Sequence, residues 1–359
     1  MTLATYGPTT GPRSSSRPRA TARSLLLTAG LTAGAMALTR TAMRRRRRFE
    51  FRGRVALVTG GSRGLGLALA RELVRAGARV AICARDEVEL LRARTQLEST
   101  GADVLALTCD ITARDQVVAM LSEIAERLGP VEVLINNAGV IQVGPMDEMT
   151  LDDYDDALRV HFWGPLYTTL GVLPGMRRRR AGRIVNITSV GGKISVPHLL
   201  PYCVSKFASV GFSEGLRGAL ARDGVYVTTV CPGLMRTGSP RNAWFKGQHR
   251  AEYAWFSISD SLPVVTIAAT RAARRILDAC RHGDAELVLP LSTAVAVKLH
   301  ALFPGVSANL LSLVDRLLPG PDGIGSAMRR GSESESRWSP SVLTALGDRA
   351  AARNNELAI

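Results

Sequence analysis

Of the six tyrosines in the chain only Tyr202 has a lysine four residues on, in the run Tyr202-Cys203-Val204-Ser205-Lys206. Helical i,i+4 spacing puts the two side chains on one face. An ammonium beside a phenol favours the phenolate and draws its pKa toward the range of an acid/base catalyst. Thirteen residues before Tyr202, Ser189 ends an apolar, β-branched run, where its hydroxyl can hold a carbonyl oxygen. A second constellation lies near the start of the folded body, Thr59-Gly60-Gly61-Ser62-Arg63-Gly64-Leu65-Gly66. Between a strand and a helix, glycines at these places let the backbone approach a pyrophosphate that rests on the helix N-terminus.

Positioning these groups requires strands that end at one edge. The chain from Arg54 repeats short apolar runs separated by helical stretches: 55–59, 79–83, 103–108, 131–135, 183–188, 225–230 and 285–289. Helices are expected between them, as at 65–75 and 87–97. The runs are mostly continuous rather than alternating, as expected of strands covered on both faces. The pattern predicts an α/β fold, a Rossmann-type doubly wound parallel sheet of about seven strands. Open sheets of this kind place ligands at the strand C-termini.

At the end of the second run an acid would bond a ribose 2′-hydroxyl, whereas arginine accommodates a 2′-phosphate. Here the run ends Cys83-Ala84-Arg85, and Arg63 adds a second positive charge nearby. NADP(H) is therefore expected in preference to NAD(H). Asp86 argues the other way, but it is equally placed to cap the next helix.

Together these residues resemble the classical short-chain dehydrogenases/reductases. The likeness rests on TGGSRGLG at 59–66, CD at 109–110, NNAG at 136–139, Ser189, YCVSK at 202–206 and PGLMRT at 232–237, and it covers about residues 51–290. It implies that Tyr202 is the proton donor in reduction, that Ser189 polarises the carbonyl, and that Lys206 binds the nicotinamide ribose and lowers the tyrosine pKa. Thr59, Gly60, Ser62, Arg63, Gly64, Leu65 and Gly66 would hold the phosphates, and Asp110 with Ile111 the adenine. Asn137, Ala138 and Gly139 would support sheet and cofactor, with Pro232, Gly233 and Thr237 at the carboxamide. One position departs from the family pattern: His161 stands where an asparagine usually holds a water that relays protons to the lysine. An imidazole can also donate, accept and relay, so His161 joins the expected catalytic set, with a merely packed histidine as the alternative.

The net charge of +15 is unevenly spread: residues 1–54 hold twelve arginines and one acid, Glu50, leaving only four net positive charges for the rest. A nucleic-acid-binding fold carries its basic stripe on the folded body, so no nucleic acid is expected. Residues 1–23 read as a disordered basic leader. Residues 24–43 are apolar and lack charge from Ser24 to Thr39, which reads first as a transmembrane or anchor helix, then as a cleaved signal or transit leader, then as a soluble tail. Arg44 to Arg48 favour a cytoplasmic placement of the residues after them. The five cysteines show no paired spacing and the five histidines no metal-ligand spacing, so reduced buried thiols and no metal site are expected.

Trp244, Phe245, Tyr253, Trp255 and Phe256 fall between Thr237 and Pro263, among few helix or strand signals. By the resemblance this is the substrate lid, and its aromatics point to a lipophilic substrate, lipid-, steroid- or retinoid-like. Their alternative is to pack on one another. Residues 291–320 add two apolar helices that can lie on a membrane or over the substrate mouth, with packing on the body as the plain alternative, and 321–359 read as a mostly mobile tail with one helix near 341–353. The expectation is a membrane-associated oxidoreductase facing the cytoplasm and acting on a carbonyl or secondary alcohol, in a homo-oligomer as the family commonly is. The rival is a non-catalytic NADP(H)-binding sensor or scaffold.

Overall fold

The computed structural model describes residue 7 and residues 34–35, 38–99, 101–263 and 265–357. It forms two units, Met1–Arg47 and Arg48–Ile359. In the first, the leader at 1–23 (apart from Gly7) and most of the expected anchor, residues 24–33 and 36–37, lie outside the described residues; residues 38–46 are helical and largely exposed. Among the described residues no single helix is long and apolar enough to cross a membrane.

The second unit is built on seven parallel strands: β1 Val55–Thr59, β2 Arg79–Ala84, β3 Val104–Thr108, β4 Val133–Asn136, β5 Gly182–Ile187, β6 Val225–Pro232 and β7 Glu286–Leu289. They lie in the order β3-β2-β1-β4-β5-β6-β7, and each expected run is a strand to within two residues at either end. Adjacent residues of one strand serve opposite faces. Ala56 and Val58 of β1 meet α1 (Gly64–Arg75), α2 (Glu87–Glu98) and α8 (Ala269–His282) through Leu69, Leu90 and Ile276. Val55 and Leu57 meet α3 (Arg114–Arg127), α5 (Gly164–Arg179) and α6 (Leu200–Leu220) through Ile124, Met176 and Leu220. Burial on both faces explains why the strands read as unbroken apolar runs. Chain direction across the sheet reverses between β1 and β4, which opens a crevice at their C-terminal ends.

A buried polar layer stiffens that edge. Asn136 donates to Asn186 Oδ1 at 2.9 Å and accepts from the Thr168 hydroxyl at 2.7 Å; Asn186 donates to Ser213 Oγ at 3.0 Å, as does Thr229 at 2.8 Å. Satisfied networks of this kind specify one arrangement of the elements that share them.

Two expectations need correction. The lid contains a thirteen-residue helix, α7 (His249–Ser261), whose core side is built from mixed polar and aromatic residues and so lacks a plain apolar stripe. Tyr253 and Phe256 on α7 pack with Phe245, Val143 and Leu199 in a satellite core, and Lys246 forms a buried ion pair with Asp153 on α4 (Leu151–Leu158) at 2.5 Å. Nor are residues 321–357 a loose tail. The Ile324 N–H donates to Gly247 O of the lid at 3.0 Å and the Gly247 N–H to Gly325 O at 2.9 Å, Arg329–Arg330 pair antiparallel with Trp244–Phe245, and Ser339 bonds Ser257 of α7. A final helix, α11 (Ala345–Arg353), comes after them. Polar side chains hold this segment down, so hydropathy does not mark it.

The two apolar helices are present as α9 (Leu291–Leu302) and α10 (Pro304–Asp315), bent by 118°. Neither buries a residue: Leu291 is 75 % exposed and Val306 69 %. All five cysteines are buried free thiols whose pKa burial pushes up.

Candidate active site

Strand β1 runs straight into the glycine loop. Gly60 and Gly64 have φ of +62° and +58°, a left-handed backbone that glycine adopts at no steric cost. A Cβ at Gly66 would overlap the Gly60 carbonyl oxygen and come within 2.5 Å of Asn137 Nδ2. This tight turn sets the start of α1 at the C-terminal edge of the sheet, against Gly60 and Asn137. The Asn137 amide donates to Thr59 O at 3.0 Å and Gly60 O at 3.1 Å, while Thr59 Oγ1 accepts from the N–H of Asn137 and of Ala138. These bonds join the C-terminal ends of β1 and β4. A cleft of about 1020 Å³ runs from the loop past Cys109, Asp110, Ile111 and Ala138–Gly139 to Tyr202 and Lys206, with Pro232, Gly233 and Thr237 on its other wall. Its volume and its glycine cradle fit a dinucleotide.

The catalytic candidates converge at the inner end. Ser189 comes two residues after the end of β5 and caps the short turn there, its Oγ accepting from Gly191 N–H at 3.0 Å. The Ser189 hydroxyl acts on the Tyr202 phenol, drawing its pKa down. From the first turns of α6 come Tyr202 and Lys206, the latter's Nζ donating to Ile187 O at 3.1 Å and lying 5.5 Å from the tyrosine ring centre. Burial lowers the Lys206 ammonium to about 7. For Tyr202 the expected lowering is not found in the protein alone: burial raises the phenol above its ordinary value, and the Ser189 hydroxyl only partly opposes this.

His161 sits at a π-helical turn, Arg159–Trp163, between α4 and α5. Its Nε2 accepts from Val140 N–H at 3.1 Å, which puts the neutral ring's proton on Nδ1. Nδ1 then donates to Ser205 Oγ at 2.7 Å, and Ser205 donates to Tyr202 O at 2.7 Å. Burial and the charge of Lys206 hold the imidazole pKa well below its ordinary value. Both nitrogens are engaged, and the ring ties the loop after β4 to the helix that carries Tyr202, whose ring it meets edge-on at 5.4 Å.

At the outer end the charges differ from expectation. Arg85 is exposed and lines the cleft. Asp86 caps α2, accepting from Glu89 N–H at 2.8 Å. Arg63 is paired within the chain, with Glu89 at 2.5 Å and Glu356 at 3.4 Å, so its charge is not free. Of the five lid aromatics Trp244, Trp255 and Phe256 line the cleft, while Phe245 and Tyr253 are buried behind them. No spacing in the sequence marks Ser205, Asn242, Asp260 or Glu356, which also line or support the cleft.

The short chain dehydrogenase family model matches residues 54–245. The chain belongs to the short-chain dehydrogenase/reductase family. The dehydrogenase is 42 % identical over 185 residues to a putative ketoacyl reductase of Streptomyces coelicolor, which covers 51 % of this chain and 71 % of that one. It is 31 % identical over 288 residues to dehydrogenase/reductase SDR family member 7B of Danio rerio, covering 78 % and 92 %. Among solved structures, a short-chain dehydrogenase/reductase of Burkholderia phymatum in complex with NAD superposes with a TM-score of 0.66 at 27 % identity, over 72 % of this chain and 96 % of that one.

The buried bases make two outcomes measurable. Between about pH 7 and 10.5 the unfolded chain holds a proton on Lys206 that the folded dehydrogenase without dinucleotide does not, so this group's penalty is full below pH 7 and fades as pH rises. Lys206→Met is expected to raise the thermal midpoint by several degrees at pH 6, with a smaller gain at pH 10, while activity is lost. Because His161 stays neutral, His161→Asn should lower kcat/KM about tenfold without moving the inflections of the pH–rate profile; a displaced inflection would restore the relay.

Proposed function

We propose that this dehydrogenase transfers a hydride between NADP(H), in preference to NAD(H), and the carbonyl or secondary alcohol of a lipophilic substrate at a membrane surface, with the catalytic domain on the cytoplasmic side. The observation that carries the reading is the convergence of Ser189, Tyr202 and Lys206 at the inner end of a cleft whose outer end is a glycine cradle. A carbonyl seated there would present its oxygen to the Ser189 hydroxyl and the Tyr202 phenol. When bound, the dinucleotide supplies or takes up the hydride.

The chain's own residues handle the oxygen. Ser189 offers its hydroxyl to the carbonyl oxygen and stabilises the charge that develops there. Tyr202 delivers its proton to the same oxygen in reduction and accepts it in oxidation. Lys206, anchored on Ile187 O, holds the nicotinamide ribose and lends positive potential to the phenolate. The His161 departure leaves these three groups in place, so a non-catalytic sensor is not favoured.

Support for the lipophilic substrate comes from the apolar wall of the inner cleft, formed by Val140, Ile141, Leu199, Trp244, Trp255 and Phe256. The name of the Streptomyces relative, a putative ketoacyl reductase, agrees with carbonyl reduction on an acyl-type substrate. Membrane contact is supported by the exposed apolar residues of α9 and α10 and by the basic run Arg44–Arg48 before the domain. NADP preference rests on Arg85 at the end of β2, since Arg63 is already paired.

The test is NADPH oxidation by the purified chain against carbonyl compounds graded from short and polar to long and apolar. The expected outcome is a kcat/KM that rises with apolar length and falls about a thousandfold in Tyr202→Phe. Arg85→Ala should raise KM for NADPH about tenfold and leave that for NADH unchanged. A flat substrate series would remove the lipophilic assignment, and equal use of NADH by the wild type would remove the NADP preference.

A further inference from the structure

Residues 351–357 return from the far side of the lid and dock on the glycine loop. Ala351 is buried against Gly238. The Gly64 N–H, in the first turn of α1, donates to Asn354 O at 2.9 Å. Asn354 Nδ2 donates to Thr237 O at 3.1 Å, and Asn355 Nδ2 donates to Ser62 O at 2.9 Å and Glu89 O at 3.0 Å. Every partner named here belongs to the glycine loop or to the other wall of the cofactor cleft, apart from Glu89 on α2.

Glu356 then points inward. Its side chain is 3 % exposed, accepts from Asn242 Nδ2 at 2.7 Å and lies 3.4 Å from Arg63 Nε. A Cβ on Gly64 would come within 2.6 Å of Glu356 Oε1, so the carboxylate rests against the first turn of α1. That turn, with its outward N–H groups and positive dipole end, is the anion position of a dinucleotide fold. A pyrophosphate on the same turn would meet a buried acid. Burial raises the Glu356 carboxyl to about 7, with Arg63 and Asn242 opposing. Close by, Asp260 on α7 lines the same stretch of cleft; its Oδ1 accepts from Met235 N–H at 3.0 Å and its Oδ2 has no hydrogen-bond partner. Two acids thus face the place where a dianion would bind.

We propose that residues 351–357 are an intramolecular competitor of the dinucleotide: the Glu356 carboxylate occupies the anion position on α1, and cofactor binding displaces the segment. This rests on the dinucleotide reading of the cleft. Displacement breaks the Glu356 contact with Arg63 and leaves that guanidinium to the incoming phosphates. The segment also bonds Thr237 O and approaches Gly238 at the root of the lid, so its release loosens the lid while the cofactor enters.

The experiment uses the full chain. NADPH dissociation constants are measured by fluorescence titration for wild type, Glu356→Gln and Glu356→Ala, and hydrogen exchange of residues 345–357 is followed in the wild type with and without NADPH. The expected result is about tenfold tighter binding in both variants, and faster exchange of the Asn354 and Glu356 amides, now bonded to Ala350 O and Ala351 O, when NADPH is added. Unchanged or weaker binding in either variant overturns the proposal. So does slower exchange, which would make the segment a clamp that closes on the cofactor. The exchange arm needs no substitution and so does not depend on how the variants fold. If neither wild type nor variants bind NADPH or NADH, the dinucleotide reading itself falls and this inference with it; binding by the wild type with no gain in the variants removes the inference alone.

Discussion

The Asn137 side chain donates to the carbonyls of Thr59 and Gly60, at 3.0 and 3.1 Å, just where α1 crosses over Gly60 with no Cβ on Gly66 between them. Two strands that are neighbours in the sheet but far apart in the chain end at this joint. Buried amide hydrogen bonds in a dry setting are costly to leave unmade, on the order of 1–3 kcal/mol for each orphaned group, so the loop has little freedom to open. Its shape leaves the first turn of α1 facing the crevice, and that turn decides where an anion can sit.

The rest of the site is connected to this joint. The loop after β4 continues to Val140, whose N–H holds His161, whose other nitrogen holds Ser205, whose hydroxyl holds the carbonyl of Tyr202. The glycine cradle and the proton donor are thus linked by one chain of hydrogen bonds through a neutral imidazole. Behind it, the Asn136–Asn186–Ser213 layer keeps β4, β5 and α6 in register. The protein alone leaves Tyr202 a poor acid, because burial raises its pKa.

Much of this is legible in the chain. The strands are readable because each is buried on both faces, as at Val55–Thr59, where alternate residues serve two different cores. The Tyr202–Lys206 pair is readable because helical spacing is a local property. What escapes depends on contacts between distant residues. How the His161 ring is held and which nitrogen carries its proton are set by Val140 and Ser205, 21 residues before it and 44 after it. Arg63 reads as a free charge until Glu89 and Glu356 are found beside it. Residues 321–357 carry glycine, serine and charge, a composition that describes loose chain in isolation. Their order comes from strand pairing with Trp244–Phe245 and from single polar contacts, such as Ser339 with Ser257. The lid helix α7 escapes for a related reason, since Glu252, Ser257 and Asp260 on its buried face break the apolar period.

If one cleft holds the dinucleotide at its glycine end and passes hydride to a carbonyl beside Tyr202, the hydride must be traceable into the product. Mass spectrometry of the alcohol formed from NADPH deuterated at the transferable C4 position tests this directly. One deuterium is expected on the former carbonyl carbon in wild type, and no labelled alcohol with Tyr202→Phe over the same time. An unlabelled alcohol from the wild type, or labelled product from Tyr202→Phe at the wild-type rate, would contradict it.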